Sequence, residues 1–298
     1  MDQQTLKREY RFEGRGLHTG KYAHLELCPA PENHGIRFYR RDVCQEIPAL
    51  ATKVSRTDRS TTITENGVSV VTIEHLLSAL TGLGVDNARI ILDNEEVPIL
   101  DGSAETYVRA IAPDGLQVQN AGRKYIEIKE TVEVRDDQTG SWVRIEPADS
   151  MSFDVTVDFN SKVLGVQTAH WSENSDYVGQ VAPCRTFCFF HELEALAAHG
   201  LIRGGDVDNA IVVVEHPVTS DQLDNMSRLF GQPRLSVKED GYLSNLTLHF
   251  PNECGRHKLL DLIGDMRLLG GFPKARVSAY KPGHKINSIA AKTALSKL

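Results

Sequence analysis

The strongest constraint on this chain is a pattern that occurs twice. Ile73, Leu76, Leu77, Leu80 and Leu83 recur at helical spacing, end at Gly82-Leu83-Gly84, and lead into an apolar run from Val85 to Leu92. A second helical stripe, Arg256-His257-Lys258-Leu259-Leu260-Asp261-Leu262-Ile263-Gly264-Asp265, runs to Gly270-Gly271 and is followed by a strand pattern, Ala275-Arg276-Val277-Ser278-Ala279-Tyr280. The register agrees: Glu74 stands ten residues before Gly84 and Asp261 ten before Gly271, and Gly84-x-x-x-Ala88-Arg89-Ile90 is echoed by Gly271-x-x-x-Ala275-Arg276-Val277. Each copy has a Pro and Gly turn after its strand, then a further helix, near Ser103 in the first and His284 in the second.

An amphipathic helix and a strand must each bury one face, so the expected fold is α+β, two similar domains that each pack a β-sheet layer on two helices. Between the copies, Ala112-Pro113-Asp114-Gly115 and Asn120-Ala121-Gly122 carry turn chemistry, and alternating strands resume at Tyr125-Ile126-Glu127-Ile128. That divides the chain into residues 1–122 and 123–298. Chance convergence of two amphipathic helices would leave the fold class unchanged.

With 298 residues the chain can bury two cores of ordinary size. Its 33 basic and 40 acidic residues give a net charge of -7, which argues against a general nucleic-acid binder. The N-terminus lacks the apolar core of a signal peptide, and no stretch approaches the roughly 18 apolar residues of a membrane span, so a cytoplasmic protein without an integral membrane segment is expected. Cys28, Cys44, Cys184, Cys188 and Cys254 form no C-x-x-C pair, which points to reduced, mostly buried thiols.

On a helix, residues four apart lie one above the other, so His257 and Asp261 can direct an imidazole nitrogen and a carboxylate oxygen at one point. Catalytic zinc takes three protein ligands and keeps a fourth position open, so a third donor is expected elsewhere. Thr72-Ile73-Glu74-His75 offers it, with His75 as ligand and Glu74 as acceptor of a water proton. Taken alone, Glu74-His75 also reads as packing at a helix start, and the His257/Asp261/Asp265 stripe as a solvated helix face. His191-Glu192-Leu193-Glu194-Ala195 imitates a zinc-protease helix, but Ala195 stands where the second histidine is required, so it reads as a charged helix face. Asp93-Asn94-Glu95-Glu96 reads as a solvated turn, and Gly14 to Gly20 as a tight turn matching no phosphate-loop spacing.

Taken with Gly16-Leu17-His18-Thr19-Gly20, Asp101-Gly102-Ser103-Ala104, Arg185-Thr186-Phe187 and Gly283-His284, these motifs resemble the UDP-3-O-acyl-N-acetylglucosamine deacetylases of lipid A biosynthesis, in family order over nearly the whole chain. The resemblance implies a Zn2+ ion held by His75, His257 and Asp261, with Glu74 as general base and Thr186 stabilising the oxyanion. It makes His284 a protonated histidine supported by Asp265. On the helix Lys258 is expected to point off the ligand face, and the resemblance implies that Lys258, Phe187, Leu17 and His18 contact an acylated UDP-amino sugar. The active site would lie between the domains, each carrying a small insert. The second insert, from Leu201 to Val214, would line an acyl channel, and Lys162 and Lys281 are candidates for the diphosphate. In some bacteria the family is fused to a hydroxyacyl carrier-protein dehydratase, which makes that enzyme a candidate partner. The segment from Ser227 to Cys254 departs from the family pattern, and an extra hairpin with a strand from Tyr242 to Phe250 is expected there. Two rival readings are a different zinc amidohydrolase on this scaffold and a non-catalytic binding module for a nucleotide sugar or acyl chain.

Overall fold

Alternating buried and half-buried side chains along Ala88–Leu92 and Ser152–Asp158 mark strands with one face on a core. In the computed structural model, which describes residues 1–193 and 209–298, these strands belong to two sheets of the same design. The first runs in spatial order Tyr10–Arg15, Tyr22–Pro29, Ala88–Leu92, Ile36–Arg40, Gln45–Pro48; the second runs Val132–Asp136, Ser141–Pro147, Phe272–Tyr280, Ser152–Asp158, Val166–Ser172. In each, the third strand is antiparallel to the second and parallel to the fourth. Ile90 faces Leu27 and Phe38, and Val277 faces Ile145 and Phe153, so the register read from the sequence holds in the sheets.

The described helices are α1 (Glu74–Leu83), α2 (Glu105–Ile111), α3 (Tyr177–Gln180), α4 (Ser220–Leu229), α5 (Glu253–Met266) and α6 (His284–Leu295). Helix α1 ends on Gly84, whose φ of 85° supplies the left-handed cap. Its counterpart after α5 is Gly270, at φ 88°, because α5 finishes in a 3-10 turn, Arg267–Leu269. The glycine alignment is therefore one residue out, while the strand alignment is correct. Helices α1 and α5 are buried on nearly every side, and one continuous core runs from Leu25, Phe38 and Ile90 through Leu76, Leu80, Leu259 and Ile263 to Phe153 and Val277. The helices thus fill the space between the sheets.

Each half carries an insert. In the first, Val54–Arg56, Thr62–Glu65 and Val68–Val71 form an antiparallel sheet. In the second, Phe187–Phe189 and Ile211–Val213 pair in parallel over their own apolar cluster. Of the channel segment expected from Leu201 to Val214, the part up to residue 208 lies outside the described residues, as do Glu194 and Ala195 of the zinc-protease look-alike.

Two expectations are corrected. Asn120-Ala121-Gly122 is not a turn but the end of a strand, Leu116–Gly122, whose partner Asp2–Leu6 lies at the other end of the first half. The run from Tyr242 to Phe250 does not form a strand. Lys238 N donates to Tyr242 O (2.8 Å) and Ser244 N to Ser236 O (2.8 Å), so the hairpin closes on a few residues and the chain then turns toward α5. No helix among the described residues is long and apolar enough to cross a membrane.

One close approach of the two halves is between helices α1 and α5. A Cβ on Gly264 of α5 would lie 2.0 Å from the carbonyl oxygen of Glu74 at the start of α1. Backbone cannot yield as a flexible side chain can, so Gly264→Ala is expected to destabilise the fold by about 1–3 kcal/mol. A denaturant midpoint unchanged from wild type would contradict this packing.

Candidate active site

Helix α1 starts abruptly. Thr72 sits at φ 61°, a left-handed conformation that for a β-branched residue costs roughly 1–3 kcal/mol. Two bonds hold it there: its N–H donates to Thr61 O (3.1 Å) and its hydroxyl to Glu96 Oε1 (2.8 Å). The bend places Glu74 and His75, both buried, in the first turn of α1 beside the middle of α5.

There Asp261 Oδ1 lies 3.6 Å from His75 Nε2 and 3.4 Å from His257 Nε2. The three donors can be chosen within 4.8 Å of one another, and the imidazole rings meet at 83° with centroids 5.0 Å apart. Asp261 Oδ1 is buried and accepts no hydrogen bond. An unpaired carboxylate oxygen is costly in a protein interior, and a cation shared with the two imidazoles would satisfy it. His257 Nδ1 donates to the Cys184 carbonyl (3.1 Å), which leaves Nε2 as the free lone pair. Burial pushes its pKa down to about 3, so the ring is neutral, as a ligand must be. Burial opposes the charge on Asp261, but the charged neighbours, Lys258 and His284 among them, outweigh it and hold the carboxyl well below the usual range. Two imidazoles and one carboxylate fit a divalent ion with a position left open.

A second pair faces this cage. Glu74 Oε1 lies 3.7 Å from His284 Nε2. Burial raises the Glu74 pKa against the pull of His284 and His75. His284 sits at the start of α6 with Nδ1 3.0 Å from Asp265 Oδ2. Burial disfavours its charge, but Asp265 and Glu74 prevail and raise its pKa to about 9. Asp265 also accepts from Asn287 Nδ2 (2.9 Å) and from the Thr61 hydroxyl (2.6 Å).

Lys258 requires a correction. It does not point away from the ligand face: Nζ donates to Asp261 Oδ2 (2.8 Å) and lies 5.5 Å from the Phe187 ring centroid. Phe187 meets the His257 ring edge-on at 6.3 Å and Phe159 at 5.5 Å. Thr186 is fixed by its backbone, with N donating to Gly102 O (2.8 Å) and O accepting from Ile211 N (2.8 Å). Gly102 is required there, since a Cβ would fall 1.8 Å from Asn209 O. Leu17 and His18 ride on a loop whose His18 and Thr19 N–H groups both donate to Glu96. The His18 Nε2 is shielded and accepts or donates no hydrogen bond. Lys281 pairs with Asp158 (3.5 Å), and Lys162 is exposed.

Three supporting residues were not legible in the sequence. Glu96, expected in a solvated turn, is almost fully buried and accepts from the Thr19 and Thr72 hydroxyls as well as two backbone N–H groups. Thr61 ends a polar run that reads as a loop. Glu253, in the first turn of α5, is fully buried and takes Arg185 Nε (2.9 Å), Arg185 Nη2 (3.2 Å), Arg185 N (3.1 Å) and His249 N.

The paired sheets carry a donor cage that could hold a divalent ion, flanked by a buried carboxylate and imidazole. The family model for LpxC, UDP-3-O-acyl N-acetylglycosamine deacetylase, matches residues 3–227 and 232–296, and the chain belongs to this family. It is 44% identical over 292 residues to the bifunctional enzyme LpxC/FabZ of Porphyromonas gingivalis, which covers 97% of this chain and 63% of that protein. To the UDP-3-O-acyl-N-acetylglucosamine deacetylase of Saccharophagus degradans it is 41% identical over 293 residues, 96% of this chain and 88% of the relative. The corresponding Nitratiruptor protein is 38% identical over 290 residues, 97% and 89%. The chain thus spans less than two thirds of the bifunctional relatives it matches.

Removing one partner of a buried ion pair strands the other, so Glu253→Ala is expected to cost about 3–5 kcal/mol of stability. Equilibrium denaturation against wild type checks this; a loss under ~1 kcal/mol would mean that Arg185 finds other partners.

Proposed function

We propose that this chain is a cytoplasmic, zinc-dependent deacetylase. It hydrolyses the N-acetyl group of UDP-3-O-(3-hydroxyacyl)-N-acetylglucosamine to the amine and acetate, the committed step of lipid A biosynthesis. The observation that carries the reading is the unpaired, buried Asp261 Oδ1 facing two imidazole Nε2 atoms, beside an opposed Glu74 and His284. The catalytic units are residues 1–122, which bring His75 and Glu74, and residues 123–298, which bring the rest.

His75, His257 and Asp261 would hold the zinc ion. Zinc held there supplies Lewis acidity, which acidifies water and polarises an amide carbonyl. Glu74, whose pKa burial raises, takes the proton from the attacking water. As the new C–O bond forms, the Thr186 hydroxyl and the His284 imidazolium meet the negative charge on the carbonyl oxygen. His284, kept charged by Asp265, then gives its proton to the nitrogen as the C–N bond breaks, so the amine and acetate leave. A base and an acid 3.7 Å apart suit the two transfers. Phe187 and Lys258 would flank the sugar, and Leu17 and His18 the mouth of the acyl channel. The bifunctional names among the relatives support a partner, the dehydratase of acyl carrier-protein substrates that the resemblance suggests.

Metal analysis combined with acetate release from the UDP-sugar tests the reading. Wild type is expected to carry zinc and turn over, and His75→Ala and His257→Ala to lose both. Glu74→Gln should keep the metal while kcat falls by about 10²–10⁴-fold. Histidine variants that retain full zinc content would sink the assignment.

A further inference from the structure

The base and the acid of the proposed reaction come from different halves of the chain, and one residue touches both the base and the support of the acid. Thr61 lies in the N-terminal insert, just before the strand Thr62–Glu65, and is completely buried. Its backbone N–H donates to Glu74 Oε2 (3.1 Å). Its hydroxyl donates to Asp265 Oδ1 (2.6 Å), 204 residues away on α5. Its carbonyl accepts from Thr72 N, the residue whose left-handed bend starts α1. From these bonds we infer that Thr61 is a positioning residue that sets the His284 imidazole against the Glu74 carboxylate across the interface between the halves, acting through Asp265.

The geometry gives the hydroxyl a defined task. A carboxylate has two oxygens, and an Asp side chain can rotate about its terminal bond unless both are engaged. Asp265 Oδ2 is shared by His284 Nδ1 (3.0 Å) and Asn287 Nδ2 (2.9 Å), both on α6. Thr61 is the donor on Oδ1 from the other half. With both oxygens held, the plane of the carboxylate is fixed, and with it the direction in which His284 presents Nε2 to Glu74, 3.7 Å away. Hydrogen bonds to a charged group are short and strong, and 2.6 Å is in the usual range for a hydroxyl on a carboxylate. Glu74 is held from the same residue through the backbone, which a side-chain substitution leaves in place. Thr61 therefore couples the acid side to the base side, and the two bonds can be separated by experiment.

The inference rests on the deacetylase reading, and kinetics on the zinc-loaded enzyme distinguish the two. Thr61→Val keeps the shape and deletes the hydroxyl; Thr61→Ser restores a donor. The expected result for Thr61→Val is kcat lower by about tenfold or more, the loss of one hydrogen bond to a charged group, with KM and zinc content near wild type. Thr61→Ser should recover most of kcat. In an Asp265→Asn background, the Thr61→Val effect on kcat should shrink to within about twofold, because the partner through which it acts has lost its charge. Thermal melting of each variant separates this from simple loss of folded protein. Unchanged kcat in Thr61→Val, a loss that persists in full in the Asp265→Asn background, or a serine variant no better than valine would overturn the role. A wild-type enzyme that binds zinc and releases no acetate would instead overturn the function on which it rests.

Discussion

Everything in this molecule depends on the contact between α1 and α5, where Gly264 lets one helix come against the carbonyl of Glu74 on the other. A donor cage built from two helices tolerates little slack, because a misplacement of an ångström breaks the donor geometry. The glycine removes the one obstacle to that approach. It lies between Asp261 and Asp265 in sequence, so this close packing falls where the donors converge. The two sheets, of one topology, clamp the helix layer from outside and leave no room for the helices to slide.

Such a site is expensive for folding. Glu74, Asp261, Asp265, His257 and His284 are all buried within a few ångströms of one another, and charges taken from water must be compensated locally. Most of them are. Asp265 is held by three donors, His257 by a backbone carbonyl, Glu74 by the Thr61 N–H, and His284 by two carboxylates. The exception is Asp261 Oδ1. The cost is concentrated on the atom that a cation would satisfy, and this is how a structural expense becomes a binding site. The strained Thr72 and the buried Glu96 and Glu253 belong to the same economy, each holding a loop or helix end that carries a residue of the site.

How much of this was legible in the sequence follows from the range of the interactions. The helix and strand of each copy could be read because 3.6-residue and two-residue periodicities are local, and because Gly84 has one plausible use after an apolar helix. His257 and Asp261 could be paired from helical spacing, and His75 added by demanding a third ligand. The orientation of Lys258 was misread because spacing on an ideal helix says nothing of how a long side chain bends back to a carboxylate three residues on. Thr61, Glu96 and Arg185–Glu253 were invisible for another reason. Their partners are 204, 24 to 78 and 68 residues away, and polar residues in apparent loops carry no mark of burial. The Asn120-Gly122 turn failed similarly, since its strand partner is the N-terminus.

The central claim is that two imidazoles and one carboxylate, drawn from both halves, make a single metal site. X-ray absorption at the zinc edge of the loaded protein tests it most directly, because it separates nitrogen and oxygen neighbours from sulfur and reports the number of imidazoles. The account predicts a first shell of nitrogen and oxygen at about 2.0–2.2 Å with the outer-shell scattering of two imidazoles. A sulfur shell near ~2.3 Å, or scattering from a different number of imidazoles, would contradict it.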